Sequence, residues 1–324
     1  MFIPIEVQFD VLKCLNFNQL FSFKQTNFYS LNLINKYENG LARMKFDELK
    51  IDNYDLIASQ KVGFRIIVPE SVTSEFILND QLSEKWKAAI AKSIPLYLHS
   101  IEHYNGCTEF SICLKPNYLL KLPNIPKNIE EMLIIRFWLK QLFNCAVKNA
   151  SLAEVVFNPQ MINLLFDNDK TISPQFNIQH TSVVLKNNTF DDFLRFTLNH
   201  LANSTYLSLD IFYITNFEEY TDILFNILTN EGNKFPKIIL QSYEFPKLYD
   251  LIVEYIITSK DCSKMVSDIS LDIPFQDFKL NKRAENVRIR WESRLIKYQI
   301  ANIYNPKVRF SFNKLSGSVF ITRM

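Results

Sequence analysis

Apolar positions fall into three regimes along the chain. Near the N-terminus, Val7, Val11, Leu12 and Leu15 recur at helical spacing behind Pro4, a residue suited to a first helical turn. A second short helix is expected near Asn18, and Leu31, Leu33 and Ile34 place apolar groups on a third. A stretch of about forty residues with so broad an apolar stripe is too small to build a sufficient core alone. It therefore calls for a partner surface. From Arg43 to Pro126 the signals are mixed. FRIIVPES suggests a strand near Ile66, EKWKAAIAKSIPLYLHSIEHY a helix that Pro95 should kink or split, and FSICLK another strand.

Beyond Pro126 the pattern becomes regular. Strand candidates recur at Val155, Val183, Leu209, Ile239 and Ile269, with the helix candidates QMINLLF, FDDFLRFTLNHL, FEEYTDILFNIL and YDLIVEYII between them. A strand and a helix repeating every ~20 to 29 residues is the organisation of leucine-rich repeats. The intervals here, 28, 26, 30 and 30 residues, sit at or just above that range. The signature Leu-x-x-Leu-x-Leu-x-x-Asn is not legible, so the unit is read as degenerate. An ordinary open α/β sheet accounts for the same alternation. Either way the expected class is α/β, with a parallel sheet and helices packed on it.

Near the C-terminus the period changes to two. Val287, Ile289 and Trp291 alternate with Arg288 and Arg290, and Val308, Phe310 and Phe312 with Lys307, Arg309 and Ser311; Val319 and Ile321 follow. These read as half-buried strands with a basic outer face that close the array. The net charge of +2 conceals an asymmetry. Residues 279 to 324 carry eleven Lys/Arg against Glu285 and Glu292, a local +9, which leaves −7 for residues 1 to 278. Arg288, Arg290, Lys307 and Arg309 thus form a candidate patch for an acidic protein partner. Nucleic acid is disfavoured, because the aromatic residues of these strands mostly fall in phase with the core and Lys/Arg commonly guard sheet edges.

Composition narrows the rest. With 48% hydrophobic and 14% aromatic residues the chain should fold as a globule. No segment reaches the ~18 uninterrupted apolar residues of a membrane span, and MFIPIEVQFD does not read as a signal peptide. Cys14, Cys107, Cys113, Cys145 and Cys262 are odd in number and scattered, and read as reduced core thiols of a cytoplasmic or nuclear protein. Five glycines leave little scope for phosphate loops, and no G-x-S-x-G elbow occurs. His99-Ser100-Ile101-Glu102-His103 fits H-x-x-E-H, which on a helix would put two zinc ligands on one face. A third ligand is not evident, so a zinc hydrolase is the least favoured reading. Neither cofactor nor metal is expected.

The opening also resembles the F-box, the linker-docking module of ubiquitin-ligase adaptors, especially the expanded F-box families of nematodes. Ile3-Pro4-Ile5-Glu6 matches its Leu-Pro-x-Glu start, Val11-Leu12 its aliphatic pair, Leu15 the next Leu and Gln19-Leu20 the Asp-Leu step. Thr26-Asn27 stands for Val-Ser, and the closing Trp is absent, with Phe28-Tyr29 nearest. The resemblance implies a module over residues 1 to 45 that docks on the Skp-type linker of a cullin-RING ligase, and a domain over 46 to 324 that binds a target protein. Ile3, Pro4, Val7, Leu12, Leu15 and Leu20 are then the expected linker contacts, and the chain performs no bond chemistry itself. A protein-binding repeat domain with no ligase link is the alternative.

Overall fold

The computed structural model describes residues 4–53, 65–67, 76–99, 110–115, 118–152, 155–167, 169, 172–186, 189–202, 205–214, 218–242, 245–273, 278–290, 292, 294–315 and 317–324. Three helices come first: α1 (Ile5–Lys13), α2 (Phe17–Lys24) and α3 (Phe28–Tyr37). Their starts have local causes. Pro4 occupies the N-cap of α1. At α2, Asn16 Oδ1 accepts from the Gln19 N–H at 3.0 Å while Gln19 Oε1 accepts from the Asn16 N–H at 2.9 Å, a reciprocal capping box. Asn27 Oδ1 caps α3 by accepting from the Ser30 N–H at 2.8 Å. Leu12, Leu20, Leu33, Ile34 and Leu41 close a small core separate from the main one.

The main sheet begins with β1 (Met44–Asn53), so a boundary after residue 45 falls inside a strand. There follow β2 (Arg65–Ile67), α4 (Asp80–Ala91), β3 (Tyr97–His99), β4 (Phe110–Lys115), β5 (Tyr118–Lys121), α5 (Ile129–Phe143), β6 (Cys145–Leu152), β7 (Val155–Phe157) and α6 (Pro159–Leu165). Next come β8 (Phe176–Lys186), α7 (Phe190–His200), β9 (Leu201–Ala202), β10 (Tyr206–Tyr213), α8 (Glu218–Asn230), β11 (Lys237–Gln241), α9 (Pro246–Thr258) and β12 (Asp268–Asp272). The chain ends in β13 (Glu285–Arg290), β14 (Leu295–Ala301), β15 (Arg309–Leu315) and β16 (Ser318–Arg323).

Fourteen of these strands form one mixed sheet. Its central strands β1, β6, β8, β10, β11 and β12 are parallel, and each lies beside the next in chain order. A doubly wound sheet reverses its strand order at a switch point; these six parallel strands never do. Stepping always in the same direction with right-handed crossovers keeps the connecting helices on one face. Neighbouring helices accordingly pack on each other, α6 on α7 and α8 on α9. The α/β class and the repeating strand-helix array expected from the sequence are therefore present, and β13 to β16 close the array as an antiparallel meander paired through β16 to β12.

The spacing of buried residues carries the repeat. Phe46, Leu49 and Ile51 are buried, as are Val147, Ala150 and Leu152, and Ile178, Thr181 and Val183. Phe235, Ile238 and Leu240 follow suit, then Val266, Ile269 and Leu271. Each set is spaced three then two, the interval of Leu-x-x-Leu-x-Leu. Between the first two buried positions the chain turns Asp47, Lys148 and Gln179 outward.

Several expectations need correction. Val155 is not in the parallel array: β7 pairs antiparallel with β3 in a separate two-stranded sheet, and β6 is the strand that joins the repeat. The helix expected to run through Pro95 stops at Ala91, and residues 97–99 are a strand. Pro95 lacks the N–H a helix would need there, and Leu96, Tyr97 and Leu98 are better used on the pleated surface. Val287 and Ile289 are exposed, because β13 is the last strand and nothing covers it among the described residues. Cys113, Cys145 and Cys262 are buried thiols, but Cys14 is exposed, and Cys107 lies outside the described residues. Burial pushes the Cys145 thiol up to about 12, which leaves it protonated and unreactive at neutral pH. Among the described residues no helix is long and apolar enough to cross a membrane.

His200, at the end of α7, is buried, and its Nδ1–H donates to the Pro174 carbonyl at 2.9 Å. Burial lowers its pKa, with Lys234 adding to the effect, against the opposing Pro174 hydrogen bond. The unfolded chain thus binds the proton more readily than the folded one, and stability rises with pH through this group. That contribution is full above about pH 6.5, the ordinary histidine value, and is lost as pH falls below it toward the lowered folded-state value. Urea melts of His200→Leu between pH 7 and 5 should show a flatter pH dependence than the parent chain; an unchanged slope would assign the acid sensitivity to other groups.

Candidate functional site

Two surfaces stand out, one on the helices and one on the sheet. On the helices, the residues expected to contact a linker divide sharply. Leu12 and Leu20 are 2% and 4% exposed and belong to the module's own core, with Leu15 packed against it. Pro4 and Val7 are exposed, and Ile3 lies outside the described residues. The free apolar surface comes from other side chains: Val11, 56% exposed, one turn from Val7 on α1; Phe21 and Phe23 on α2; and Phe28, 76% exposed, at the start of α3. Tyr29 ties α3 to α1 by donating its hydroxyl to Gln8 Oε1 at 2.7 Å. The module is thus internally closed and still presents Val7, Val11 and Phe28 to solvent. Sequence spacing showed α1 to be apolar on more than one side, but not which side faced inward.

On the sheet, the face opposite the helices is partly exposed: Ser182 and Phe320 are exposed, Ser151 and Ile239 half-buried, and Ser208 and Ser270 buried. One transverse row runs through it in continuous register, from Lys50 through Ser151, Ser182 and Ser208. It continues through Ile239 and Ser270 to Phe320, and then through Asn313 and Lys297 to Arg288. Serines dominate the middle of this row, interrupted by Ile239, and longer side chains flank it. On one flank His180 stacks on Tyr206 with ring centroids 4.8 Å apart, and its Nδ1–H donates to Asn149 Oδ1 at 3.1 Å. On the other lie Asp210 and Asp272, the latter accepting from the Ser318 hydroxyl at 2.7 Å.

Charge grades across this face. Its middle carries Asp210, Asp268 and Asp272, and its C-terminal end is basic. Arg288 and Arg290 alternate along β13, and Lys297 stands directly opposite Arg288 on β14. Arg309 of β15 shares the face, with its guanidinium 2.7 Å from Glu285 Oε2. Of the expected basic patch, Arg288 and Arg290 share β13, Arg309 lies two strands away at the other end of β15 beside Glu285, and Lys307 sits in the exposed β14–β15 connection. Lys297 was missed, because the alternation LIKYQIA that defines β14 was not read as a strand.

The H-x-x-E-H segment does not form the helix that the zinc reading required at its first ligand. His99 is on β3 with its ring 5.1 Å from that of Phe110, and His103 lies outside the described residues. Among the described residues no three His, Cys, Asp or Glu side chains converge as a metal site. Arg136 of α5 illustrates how the interior uses charge instead. It is buried against the rings of Phe76 and Phe166, donates to the Leu165 carbonyl and pairs with Asp169.

A family model described as Domain of unknown function (DUF8381) matches residues 67–212. That stretch runs from the end of β2 into β10, less than half of the chain, and leaves out both the three helices and the basic strands. No curated protein and no solved structure matches the chain.

Proposed function

We propose that the protein is a substrate-recognition adaptor of a cullin-RING ubiquitin ligase, working in the cytoplasm or nucleus. The three helices dock on the Skp-type linker, and the face of the sheet opposite its helices holds a target protein. The observation that carries the reading is the exposed apolar surface of Val7, Val11 and Phe28 on a module whose own core is already closed by Leu12, Leu20, Leu33 and Ile34. Exposed apolar side chains clustered on one small unit favour a protein contact, and the F-box resemblance supplies the kind of partner. The adaptor itself makes and breaks no bonds. It raises the effective concentration of the target beside the charged conjugating enzyme.

Affinity purification of the full chain from cells of its source tests this. Recovery of a Skp-type linker with a cullin is the expected result. Stable partners without either protein would replace the proposal with a repeat domain that binds proteins outside any ligase. Within the same reading, the basic end formed by Arg288, Arg290, Lys297 and Arg309 faces an acidic part of the target, so raising salt should weaken target binding more than linker binding.

A further inference from the structure

Between the helical module and the sheet lies a cavity of about 480 Å³. Phe17, Leu20 and Ile34 line it from the helices, and Phe46, Leu114 and Phe137 from β1, β4 and α5. Its few polar groups include Lys24, Glu38, Arg43 and Asn144. A second cavity of about 590 Å³ shares Glu38, Arg43 and Asn144 with the first and adds Lys36 and Lys140. An apolar chamber therefore adjoins a polar one, and the two have side chains in common. Four cations, Lys24, Lys36, Arg43 and Lys140, surround the single carboxylate Glu38, which already lies 3.4 Å from the Lys24 ammonium. Arg43 spends one N–H on the Phe143 carbonyl at 2.5 Å, and a guanidinium carries five such donors.

We propose that the paired cavities bind one amphipathic anion, in chemical class a long-chain carboxylate. Its chain occupies the chamber between Phe17 and Leu114, and its head lies among Lys36, Arg43 and Lys140. Size, polarity and charge agree on this. Ligand sites are concave, mostly apolar and about 300 to 1,000 Å³, with a few polar groups that orient the ligand. The chamber's volume falls within that range, and a twelve-carbon chain serves as the probe of its length. The excess of cations at one end selects a negative head over a neutral one. Because the walls come from both the helices and the sheet, a bound chain joins the two units and should raise the melting temperature of the whole molecule. None of this depends on the adaptor reading.

Calorimetric titration of the full chain with dodecanoate and, separately, with dodecanol tests the proposal. The expected result is saturable one-to-one binding of dodecanoate, with dodecanol weaker. Ala42→Phe, which fills the chamber from a half-buried lining position, should weaken dodecanoate at least about tenfold while keeping the ligand-free melt. The double replacement Lys36→Gln with Lys140→Gln, both exposed, should weaken dodecanoate by about three- to tenfold and leave dodecanol unchanged, as two solvent-exposed charge contacts imply. Absence of saturable binding overturns the proposal, and is also what a chamber reserved for a protein partner's side chain would give. Equal affinity for dodecanol overturns it, as does undiminished binding by Ala42→Phe. Should Ala42→Phe lose its cooperative melt, Phe137→Ala serves in its place. By widening the chamber it should shift the preferred chain from twelve carbons toward fourteen, and an unaltered order of chain lengths would be fatal.

Discussion

Val11→Asp is expected to abolish linker docking without changing the melting temperature, whereas Leu12→Asp unfolds the helical module. The two positions are adjacent in the chain, so the contrast isolates the direction each side chain faces. Val11 is exposed, and a polar replacement at such a site usually shifts stability by no more than about 0.5 kcal/mol. In a docked interface the new carboxylate would be desolvated without a partner, at a cost of several kcal/mol, or roughly a thousandfold in affinity. Leu12 is held by Leu20, Leu33 and Ile34, so an Asp there places a charge in the module's only small core. Lys13→Ala, on the exposed side of α1 beside Asp10, should change linker affinity by less than about 1 kcal/mol. Thermal melts and linker titrations of the three variants decide the matter. Equal, small effects of Val11→Asp and Lys13→Ala on affinity would remove the residue-level support for docking through this face.

The same pair of residues marks the limit of what the sequence discloses. Helical spacing located all three helices, but helical spacing alone does not orient a helix that is apolar on two sides. The resemblance implies outward anchors at Leu12 and Leu20, because a short motif looks like an interface. They turn inward because even three short helices need a few leucines to hold together. The exposed apolar positions are instead Val7, Val11 and Phe28, of which only Val7 is among the expected contacts.

In the sheet the repeat was legible and its strands less so. Four of the five expected strand centres, Val183, Leu209, Ile239 and Ile269, lie in parallel neighbours. The fifth, Val155, belongs to VVF, a run buried on both sides, which period alone does not separate from a core strand. The leucine-rich spacing escaped notice because its key positions hold Phe46, Val147, Ile178, Phe235 and Val266 first, then Ala150 and Thr181 where a leucine would be looked for. Burial, not residue identity, reveals it. The face opposite the helices was not legible at all: its transverse row of Ser151, Ser182 and Ser208 exists only in the register between strands, which are 26 or more residues apart in the chain.

Phe176→Ala should be the most damaging single truncation in the repeat, at about 3 to 5 kcal/mol. Phe176 opens β8 and is fully buried, with its ring 4.8 Å from that of Phe143, 4.9 Å from Phe157 and 5.8 Å from Phe196. Those partners sit on α5, β7 and α7, so one side chain joins the helix that leads into the neighbouring strand β6, the connection from β6 to β8 and the helix after β8. Removal forfeits the transfer energy of the ring, leaves a void, and breaks aromatic pairs worth about 0.5 to 1.5 kcal/mol each. Against a total stability of roughly 5 to 15 kcal/mol, that is a large fraction. In an array whose units touch mainly their neighbours, a weak joint in the middle also uncouples the two sides. Urea unfolding followed by circular dichroism should therefore show a lower midpoint and a broadened or two-step transition. Phe320→Ala, exposed on the face opposite the helices, should cost less than about 1 kcal/mol and leave the transition sharp. A Phe176→Ala loss below about 1.5 kcal/mol, with a single sharp transition, would mean that the aromatic cluster does not couple successive repeats.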